Sequence, residues 1–325
     1  MAILSYIEAI REALREEMAR DSSVYILGED VALGGPFGAT KDLAEEFGEK
    51  RVVNTPISEG TVMGLAIGAA VTGLRPVVEI MFIDFITLAM DQLVNHAAKL
   101  HYMSGGQLKV PLTIRVQCGA VGNWGAHHSQ SLEAWFVHIP GLKVVMPANP
   151  ADAKGLLKSA LRDDNPVLFI EHRALYWSKG EITEGEQVVP IGIAALLKSG
   201  SDVTLLAFSR MVQPTLEASE ELAGLGISAE MIDARTLSPL DFETIAASVR
   251  KTGRLVIVHE AVQTGGPGAE IAARVQETVI HYLDAPIARV GAPYAPVPYS
   301  PALEKEFVPG KERIVRAVRE LLGKA

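Results

Sequence analysis

The sequence has 325 residues, of which 48% are hydrophobic and 21% are charged, and its formal net charge is -9. This length allows about two domains of roughly 100–200 residues each, and the acidic balance without any run of Lys or Arg argues against nucleic-acid binding. Cys118 is the only cysteine, so an internal disulfide is excluded and a reducing, cytoplasmic compartment is expected.

The N-terminal stretch, residues 1–21, places charged residues between apolar residues at helical spacing, which is unlike a signal peptide. No apolar run reaches the roughly 18 residues that a membrane-spanning helix needs. We therefore expect a soluble protein that does not insert into a membrane.

Short β-branched runs alternate with helical patterns along the chain. Strands are predicted at 23–28, 75–82, 110–116, 142–146, 166–172, 201–209, 227–233, 254–260 and 285–291. Helices are predicted at 5–20, 59–73, 85–103, 150–162, 211–224, 241–251 and 266–283. Near-continuous apolar strands separated by helices are typical of parallel sheets covered on both faces. The predicted fold class is therefore α/β, with two domains that each contain a parallel or mostly parallel sheet.

A polar stretch at 178–187 interrupts this alternation, and we interpret it as the connection between the two domains. The predicted domains are residues 1–180 and 191–325, joined by a linker at 181–190. Prolines between residues 293 and 309 predict an extended run, so no helix is expected there before about residue 310.

The segment "NTPISEG" opens a predicted helix with Glu59 in its first turn. An acidic residue at this position can simply stabilise the helix, because its negative charge interacts favourably with the positive end of the helix dipole. However, the helix continues without charge and carries Gly60, Gly64 and Gly68 at four-residue spacing, which predicts a helix buried all round whose backbone is closely approached. There Glu59 would be poorly solvated with a raised pKa, which suits an acid–base or hydrogen-bonding role.

Two aromatic residues, Phe82 and Phe85, lie between a predicted strand and the next predicted helix. Ligands of α/β proteins bind at this kind of sheet edge, although aromatic side chains there more often belong to the core.

The segment "GAHHSQS" contains the adjacent histidines His127 and His128. Their spacing matches neither a zinc-binding motif nor the serine motif of a nucleophile elbow. Acid–base chemistry and a loop whose histidines only form hydrogen bonds both remain open. The chain lacks G-x-G-x-x-G and G-x-x-x-x-G-K-[ST], and the glycine-rich segment 263–270 is explained equally by an anion site or a strand-to-helix turn.

Many motifs in a fixed order extend from the first helix to "VPYSPALE". Among them are "LGEDV", "RVVNTPISEG", "GLRPVVEIMFIDF", "AAKLHYMSGG", "HHSQSLEAWFVHIPGLKVVMPANP", "RTLSPLD" and "GRLVIVHEA". With these motifs the sequence resembles the beta subunits of the thiamine-diphosphate-dependent decarboxylating component of 2-oxo acid dehydrogenase complexes, of the pyruvate dehydrogenase and acetoin dehydrogenase type.

The resemblance implies a transketolase-like fold, with a pyrimidine-binding domain followed by a transketolase C-terminal domain. It implies an α₂β₂ heterotetramer in which thiamine diphosphate is shared with the alpha subunit and Mg²⁺ is held by that subunit. The G-D-G start of the family's magnesium motif is absent here, which fits a half-site subunit.

The implied reaction is decarboxylation of pyruvate followed by reductive acylation of a lipoyl group. The implied partners are the lipoyl domain and the peripheral subunit-binding domain of a dihydrolipoyl acyltransferase. Acetoin cleavage with the same acetyl transfer, and a non-catalytic assembly subunit, are the alternatives.

The resemblance also assigns roles to individual residues. Glu59 matches the glutamate that hydrogen-bonds the aminopyrimidine ring, and Phe85 matches the aromatic residue that packs on this ring. His128 matches the histidine that faces the substrate and the lipoyl group and acts as proton donor in reductive acylation. His127 receives no role, since many relatives carry another residue there. The residues matching a structural potassium site of some relatives are Leu112, Ala160, Leu161, Asp163 and Asn165.

Overall fold

The computed structural model describes residues 2–183 and 185–324. The chain divides into two compact units, one formed by Met1–Cys118 and Trp135–Ile191 and the other by Gly119–Ala134 and Gly192–Ala325. The excursion of residues 119–134 into the second unit lies inside the segment that we predicted as the first domain.

The first unit contains most elements of the N-terminal half. Its strands are β1 (Ala2–Ser5), β2 (Val24–Gly28), β3 (Val52–Asn54), β4 (Arg75–Ile80), β5 (Thr113–Cys118), β6 (Lys143–Val145), β7 (Val167–His172) and β8 (Lys179–Ile182). Its helices are α1 (Tyr6–Arg20), α2 (Leu43–Phe47), α3 (Glu59–Val71), α4 (Leu100–Met103) and α6 (Pro150–Arg162), while α5 (Glu133–Val137) spans the return of the chain from the second unit.

The central sheet of the first unit has the order β6-β7-β5-β4-β2-β3, and all these neighbours are parallel. Strands β4, β5 and β7 are almost entirely buried, as expected for a parallel sheet covered on both faces. Strands β1 and β8 form a separate antiparallel pair.

The second unit contains the strands β9 (Ala195–Lys198), β10 (Val203–Ala207), β11 (Ala229–Asp233), β12 (Thr236–Ser238), β13 (Leu255–Val262) and β14 (Ala288–Ala292). Its helices are α7 (Val212–Gly224), α8 (Phe242–Thr252), α9 (Pro267–Val279), α10 (Pro301–Phe307) and α11 (Lys311–Leu321). Five strands pair in the order β14-β13-β10-β11-β9, and only the edge strand β9 runs antiparallel to its described neighbour. The predicted α/β class with mostly parallel sheets is confirmed.

Helix α1 shows how local sequence and packing combine. The Ser5 side chain and Glu8 form a capping box, in which the Ser5 N–H donates to Glu8 Oε2 at 2.8 Å. Helix α1 packs against α6. At this contact the buried ammonium groups of Lys154 and Lys158 each lie 2.7 Å from a Glu16 carboxylate oxygen. These ion pairs cover the edge of the apolar contact between the two helices.

A buried charge cluster lies at the centre of the first unit. Arg115 of β5 donates to both carboxylate oxygens of Glu171 on β7, at 2.7 and 3.0 Å, and to Glu79 Oε2 on β4 at 2.5 Å. The Tyr176 hydroxyl donates to Glu171 at 2.7 Å, and burial raises the pKa of Glu79. Removing one partner from a buried set of this kind typically costs about 3–5 kcal/mol.

The predicted helix at 85–103 is wrong. The chain forms a 3₁₀ turn at Phe85–Ala89, a π-helical turn at Gln92–Ala97 and only then the short α4. The break coincides with a close approach of another segment, because a Cβ built on Gly141 would lie 2.0 Å from the Ala98 carbonyl oxygen. At the end of the π-helical turn the Ala98 N–H donates to the Leu93 carbonyl oxygen at 3.1 Å, five residues earlier instead of four.

Two further expectations are corrected. The polar stretch 178–187 is not only a connection between domains. Residues 179–182 form β8, which pairs with β1 from the start of the sequence. A helix does occur before residue 310, because α10 places Pro301 in its first turn, where a missing N–H is tolerated.

The glycine-rich segment after β13 packs on a buried histidine. A Cβ at Gly266 or Gly268 would lie 2.8 Å from the ring of His259. Burial lowers the pKa of His259 to about 4, so the imidazole is neutral near pH 7. This close packing explains both glycines as parts of a strand-to-helix turn.

Over residues 2–183 and 185–324, no helix combines the length and the apolar character needed to cross a membrane.

Candidate active site

The carboxyl edge of the first sheet holds the acidic residues of the candidate site. Strand β2 ends at Gly28 and is followed by Glu29, and β3 ends at Asn54 and leads to Glu59. Since β2 and β3 are adjacent and parallel, their carboxyl ends open on the same edge, where α/β proteins bind ligands.

Glu59 is the first residue of α3, as predicted, and it is half-buried. Ser58 precedes it as N-cap residue but caps no backbone N–H, and its hydroxyl instead donates to Thr61 Oγ1 at 2.9 Å. The free N–H groups and the dipole of the first turn favour a carboxylate or a ligand at this end.

Glu29 is an acidic residue that our sequence reasoning did not single out. Its pKa is raised, first by partial burial and then by the neighbouring carboxylates of Asp30 and Glu59. The signal available in the sequence was its position in "LGEDV", directly after a buried strand. The Glu29 carboxyl therefore lies within electrostatic reach of the Glu59 carboxylate at the same edge.

Phe85 begins the 3₁₀ turn after β4 and is half-buried, while Phe82 is buried. The two rings meet edge to face, with centroids 5.8 Å apart and planes at 86°. The Arg173 guanidinium lies over the other aromatic ring, 5.1 Å from the Phe82 centroid. The Phe85 ring is thus packed against Phe82 while part of it remains exposed.

Helix α3 approaches the turn that carries Phe85 through Gly60. A Cβ on Gly60 would lie 3.2 Å from the carbonyl oxygen of Leu88, so the glycine permits this contact. Glu59 and Phe85 are thus brought onto two packed elements of one unit.

The other glycines of α3 behave differently from our prediction. Within the described chain, a Cβ on Gly68 would meet nothing within 4 Å, and one on Gly64 would reach only the Gln92 side chain at 3.9 Å. Leu65 on the same helix is 62% exposed. The expectation that α3 is buried all round is therefore wrong for this chain. One face of α3, formed by small and apolar residues, is exposed.

His127 and His128 lie in the second unit, in a segment of residues 119–132 that we name the histidine loop. The Gly119 N–H donates to the Gln130 carbonyl at 3.2 Å and closes the loop. Gly119, Gly122 and Gly125 have positive φ angles of 96°, 78° and 70°, and they allow the compact turns between these ends. The structure places Glu59 and Phe85 in one unit and both histidines in the other.

The two histidines differ in their surroundings. His127 is exposed, whereas His128 is half-buried and its ring meets the Trp124 ring edge-on at a centroid distance of 6.1 Å. The half-buried imidazole of His128 is therefore packed on one side and remains partly accessible.

A cavity of about 430 Å³ lies in the second unit beside the histidine loop. Its walls are formed by residues 129–132 of the loop, by Glu260–Val262, by Tyr294–Val297 and by Ala126 and Phe307. Glu133 is buried close by, and burial together with the Glu260 carboxylate raises the pKa of Glu133 to about 7. The cavity therefore has a mostly apolar lining with the carboxylate of Glu260 in its wall.

Four residues of the expected potassium site lie at or just after the end of α6, and the fifth, Leu112, directly precedes β5. Arg75 donates to the carbonyl oxygens of Leu161 and Asp163 at 2.8 and 2.6 Å, and the Leu112 carbonyl accepts from Val167 N–H at 2.9 Å. The Lys143 ammonium also pairs with Asp163 Oδ2, so two cationic side chains already contact this set of oxygen atoms.

Comparison with known proteins places the chain in a family. Residues 3–178 match the family "Transketolase, pyrimidine binding domain" and residues 192–314 match "Transketolase, C-terminal domain". A solved structure described as "Split gene transketolase, inactive beta4 tetramer" superposes with a TM-score of 0.82 at 25% identity, over 98% of both chains. The transketolase-like fold is therefore confirmed.

Two relatives align over nearly their whole length. The chain is 48% identical to the pyruvate dehydrogenase E1 component subunit beta of Gracilaria tenuistipitata var. liui, over 97% of this chain and 98% of the relative. It is 46% identical to the acetoin:2,6-dichlorophenolindophenol oxidoreductase subunit beta of Bacillus subtilis (strain 168), over 99% and 98% of the two chains. The chain belongs to the family of transketolase-like beta subunits of 2-oxo acid dehydrogenase complexes.

Proposed function

We propose that this chain, together with an alpha subunit and thiamine diphosphate, decarboxylates pyruvate and passes the acetyl group to the lipoyl group of an acyltransferase. The observation that carries this proposal is the pairing of Glu59 and Phe85 on packed elements at the carboxyl edge of the first sheet. A carboxyl group and an aromatic ring are the two groups that a pyrimidine needs, one for its ring nitrogen and one for its face.

The cofactor supplies the carbanion nucleophile and the electron sink of the reaction. With the cofactor bound, Glu59 would share a proton with the ring nitrogen of the aminopyrimidine, and Phe85 would pack on the face of this ring. His128 donates the proton that a lipoyl sulfur needs when the acyl group bonds to the other sulfur and the disulfide opens. In this scheme each of the three residues has one task, and none duplicates another.

The alpha subunit completes the site in this proposal and holds the diphosphate and Mg²⁺. The exposed face of α3 with Gly64, Gly68 and Leu65 supports a partner chain, because an uncovered apolar helix face is unfavourable in water. We further propose an α₂β₂ heterotetramer, docking of the lipoyl domain and the peripheral subunit-binding domain, and a cytoplasmic location. Bound K⁺ at the end of α6 is part of the same proposal.

Acetoin is a second candidate substrate, favoured by the 46% identity to the Bacillus subtilis subunit. The two alternatives differ in the bond that is broken, since pyruvate loses carbon dioxide and acetoin loses acetaldehyde. Both leave an acetyl unit for the lipoyl group, so the residues above serve either reaction.

A substrate panel with reconstituted alpha and beta subunits tests the proposal. Pyruvate, acetoin and a branched-chain 2-oxo acid would be assayed with an artificial electron acceptor and with a lipoyl domain, with and without thiamine diphosphate. We expect the highest kcat/KM with pyruvate, and turnover only when both subunits and the cofactor are present. A higher kcat/KM with acetoin than with pyruvate would make acetoin the substrate. Absence of thiamine diphosphate binding, by the beta chain alone and by the pair of subunits, would favour a non-catalytic assembly subunit.

A further inference from the structure

A buried carboxylate and a guanidinium hold one residue of the histidine loop from two sides. The Ala120 N–H donates to Glu260 Oε1 at 2.6 Å, and Arg210 Nη1 donates to the Ala120 carbonyl oxygen at 2.7 Å. The same Arg210 nitrogen lies 3.3 Å from Glu260 Oε2. Both polar groups of Ala120 are therefore bound by charged partners, which form stronger hydrogen bonds than neutral ones.

Both partners are themselves fixed by the second sheet. Glu260 is part of β13 and only 6% exposed. Arg210 lies in the single 3₁₀ turn Ser209–Met211 that follows β10, the neighbour of β13. Ser209, the residue before Arg210, adopts a positive φ of 52°, which is an unusual conformation for a residue with a side chain. The backbone that carries Arg210 is therefore locally constrained.

The histidine loop needs such anchors because of its own sequence. Its glycines and Asn123, whose φ is 60°, leave a backbone with many accessible conformations. A second anchor of the loop follows Ala120, since the Asn123 N–H donates to Glu304 Oε2 at 2.9 Å. The loop is therefore held near its start, while His128 lies further along, close to the residues that line the cavity.

We propose that Glu260 and Arg210 are positioning residues that fix the histidine loop and thereby aim the His128 imidazole at the lipoyl group. This proposal rests on the proposed function of His128. A purely structural role in the second unit would lower stability in general, whereas a positioning role lowers the rate of the step that uses His128.

The first experiment measures the loop itself. Hydrogen–deuterium exchange of peptides covering residues 119–132 would be compared in the assembled enzyme for wild type, Arg210→Met and Glu260→Gln. We expect faster exchange in this loop in both variants and native exchange in the strands of the second sheet. Unchanged exchange in the loop would overturn the idea that the pair holds it.

The second experiment is a double-mutant cycle on reductive acylation of a lipoyl domain. We expect Arg210→Met to lower kcat for acylation by about tenfold to a hundredfold, while decarboxylation with an artificial acceptor changes by less than about threefold. The double variant Arg210→Met/His128→Ala should be no slower than His128→Ala alone, since Arg210 acts through that imidazole. Fully additive losses would overturn the positioning role.

Arg313→Met is the matched control, because Arg313 also donates from a half-buried guanidinium to a backbone carbonyl of the second unit, that of Gly291 at 2.6 Å. It should leave loop exchange and acylation near wild type, and an acylation loss equal to that of Arg210→Met would contradict the proposal. A His128→Ala variant with native acylation would instead refute the proposed function of His128, and the exchange data would still decide whether the pair holds the loop.

Discussion

The carboxyl group of Glu59 is the smallest feature on which the proposed chemistry depends. It stands half-buried at the first turn of α3, beside Glu29, whose pKa is raised in part by that neighbouring charge. A glutamine at position 59 would keep the shape of the side chain and one acceptor oxygen, but its other terminal group is an NH₂ donor and it could not share a carboxyl proton.

We expect Glu59→Gln to lower decarboxylation with an artificial acceptor by about 10²- to 10⁴-fold, the usual contribution of a positioned acid–base group. Circular dichroism and thermal unfolding should remain close to wild type, because the side chain is partly exposed. Glu45→Gln, an exposed glutamate in the first turn of α2, is the control and should retain full activity. A near-native rate in Glu59→Gln would remove Glu59 from the mechanism.

His127 and His128 form a natural pair of test and control, since they are adjacent but differ in exposure. His128→Ala should lower acylation of the lipoyl domain by about 10²-fold, with decarboxylation changed by less than about threefold, because the proton is needed only when the dithiolane opens. His127→Ala should leave both steps intact. Equal losses of both steps in His128→Ala would count against the assignment.

At the scale of elements, α3 is the feature that the isolated chain does not explain. A glycine inside a helix costs about 1 kcal/mol relative to alanine, and Gly64 and Gly68 contact nothing in the described chain that would require them. We therefore expect these glycines to permit the close approach of a partner chain on this face of α3.

This leads to a prediction with opposite signs for stability and assembly. Gly68→Leu should leave the thermal unfolding of the isolated beta chain unchanged or slightly improved, and it should reduce assembly with the alpha subunit, measured by size-exclusion chromatography with light scattering. Gly224→Leu is the matched control, because Gly224 is also exposed near a helix end and has nothing within 4 Å. Native assembly of Gly68→Leu would show that the glycine face is not an interface.

The segment 85–103 shows at the same scale where helical periodicity fails. Its apolar spacing predicts one helix, but the contact of Gly141 with the Ala98 carbonyl and the hydrogen bond from Ala98 N–H to the Leu93 carbonyl change the helical pitch within it. The hydrogen bond is local, but the contact with Gly141 comes from a segment about 40 residues away in the chain and is therefore invisible in a local window.

At the scale of the whole molecule, the sequence determined the alternation of strands and helices and the mostly parallel sheets. Apolar runs and their spacing depend on neighbours within a few residues, so strands such as β7 and helices such as α6 were predicted close to their observed bounds. The candidate residues Glu59, Phe85 and His128 came from the motifs of the family, and spacing alone left the role of the histidines open.

The tertiary structure decided what these residues meet. The cluster of Arg115, Glu79 and Glu171 joins three strands, and the residue pattern of a single strand does not predict it. Ala120 contacts Arg210 and Glu260, which lie 90 and 140 residues further along the chain, and these contacts connect the histidine loop to the five-stranded sheet of the same unit. Such partners are chosen by the packing of distant elements, because a buried polar group must be bonded to whatever polar group the fold brings within reach.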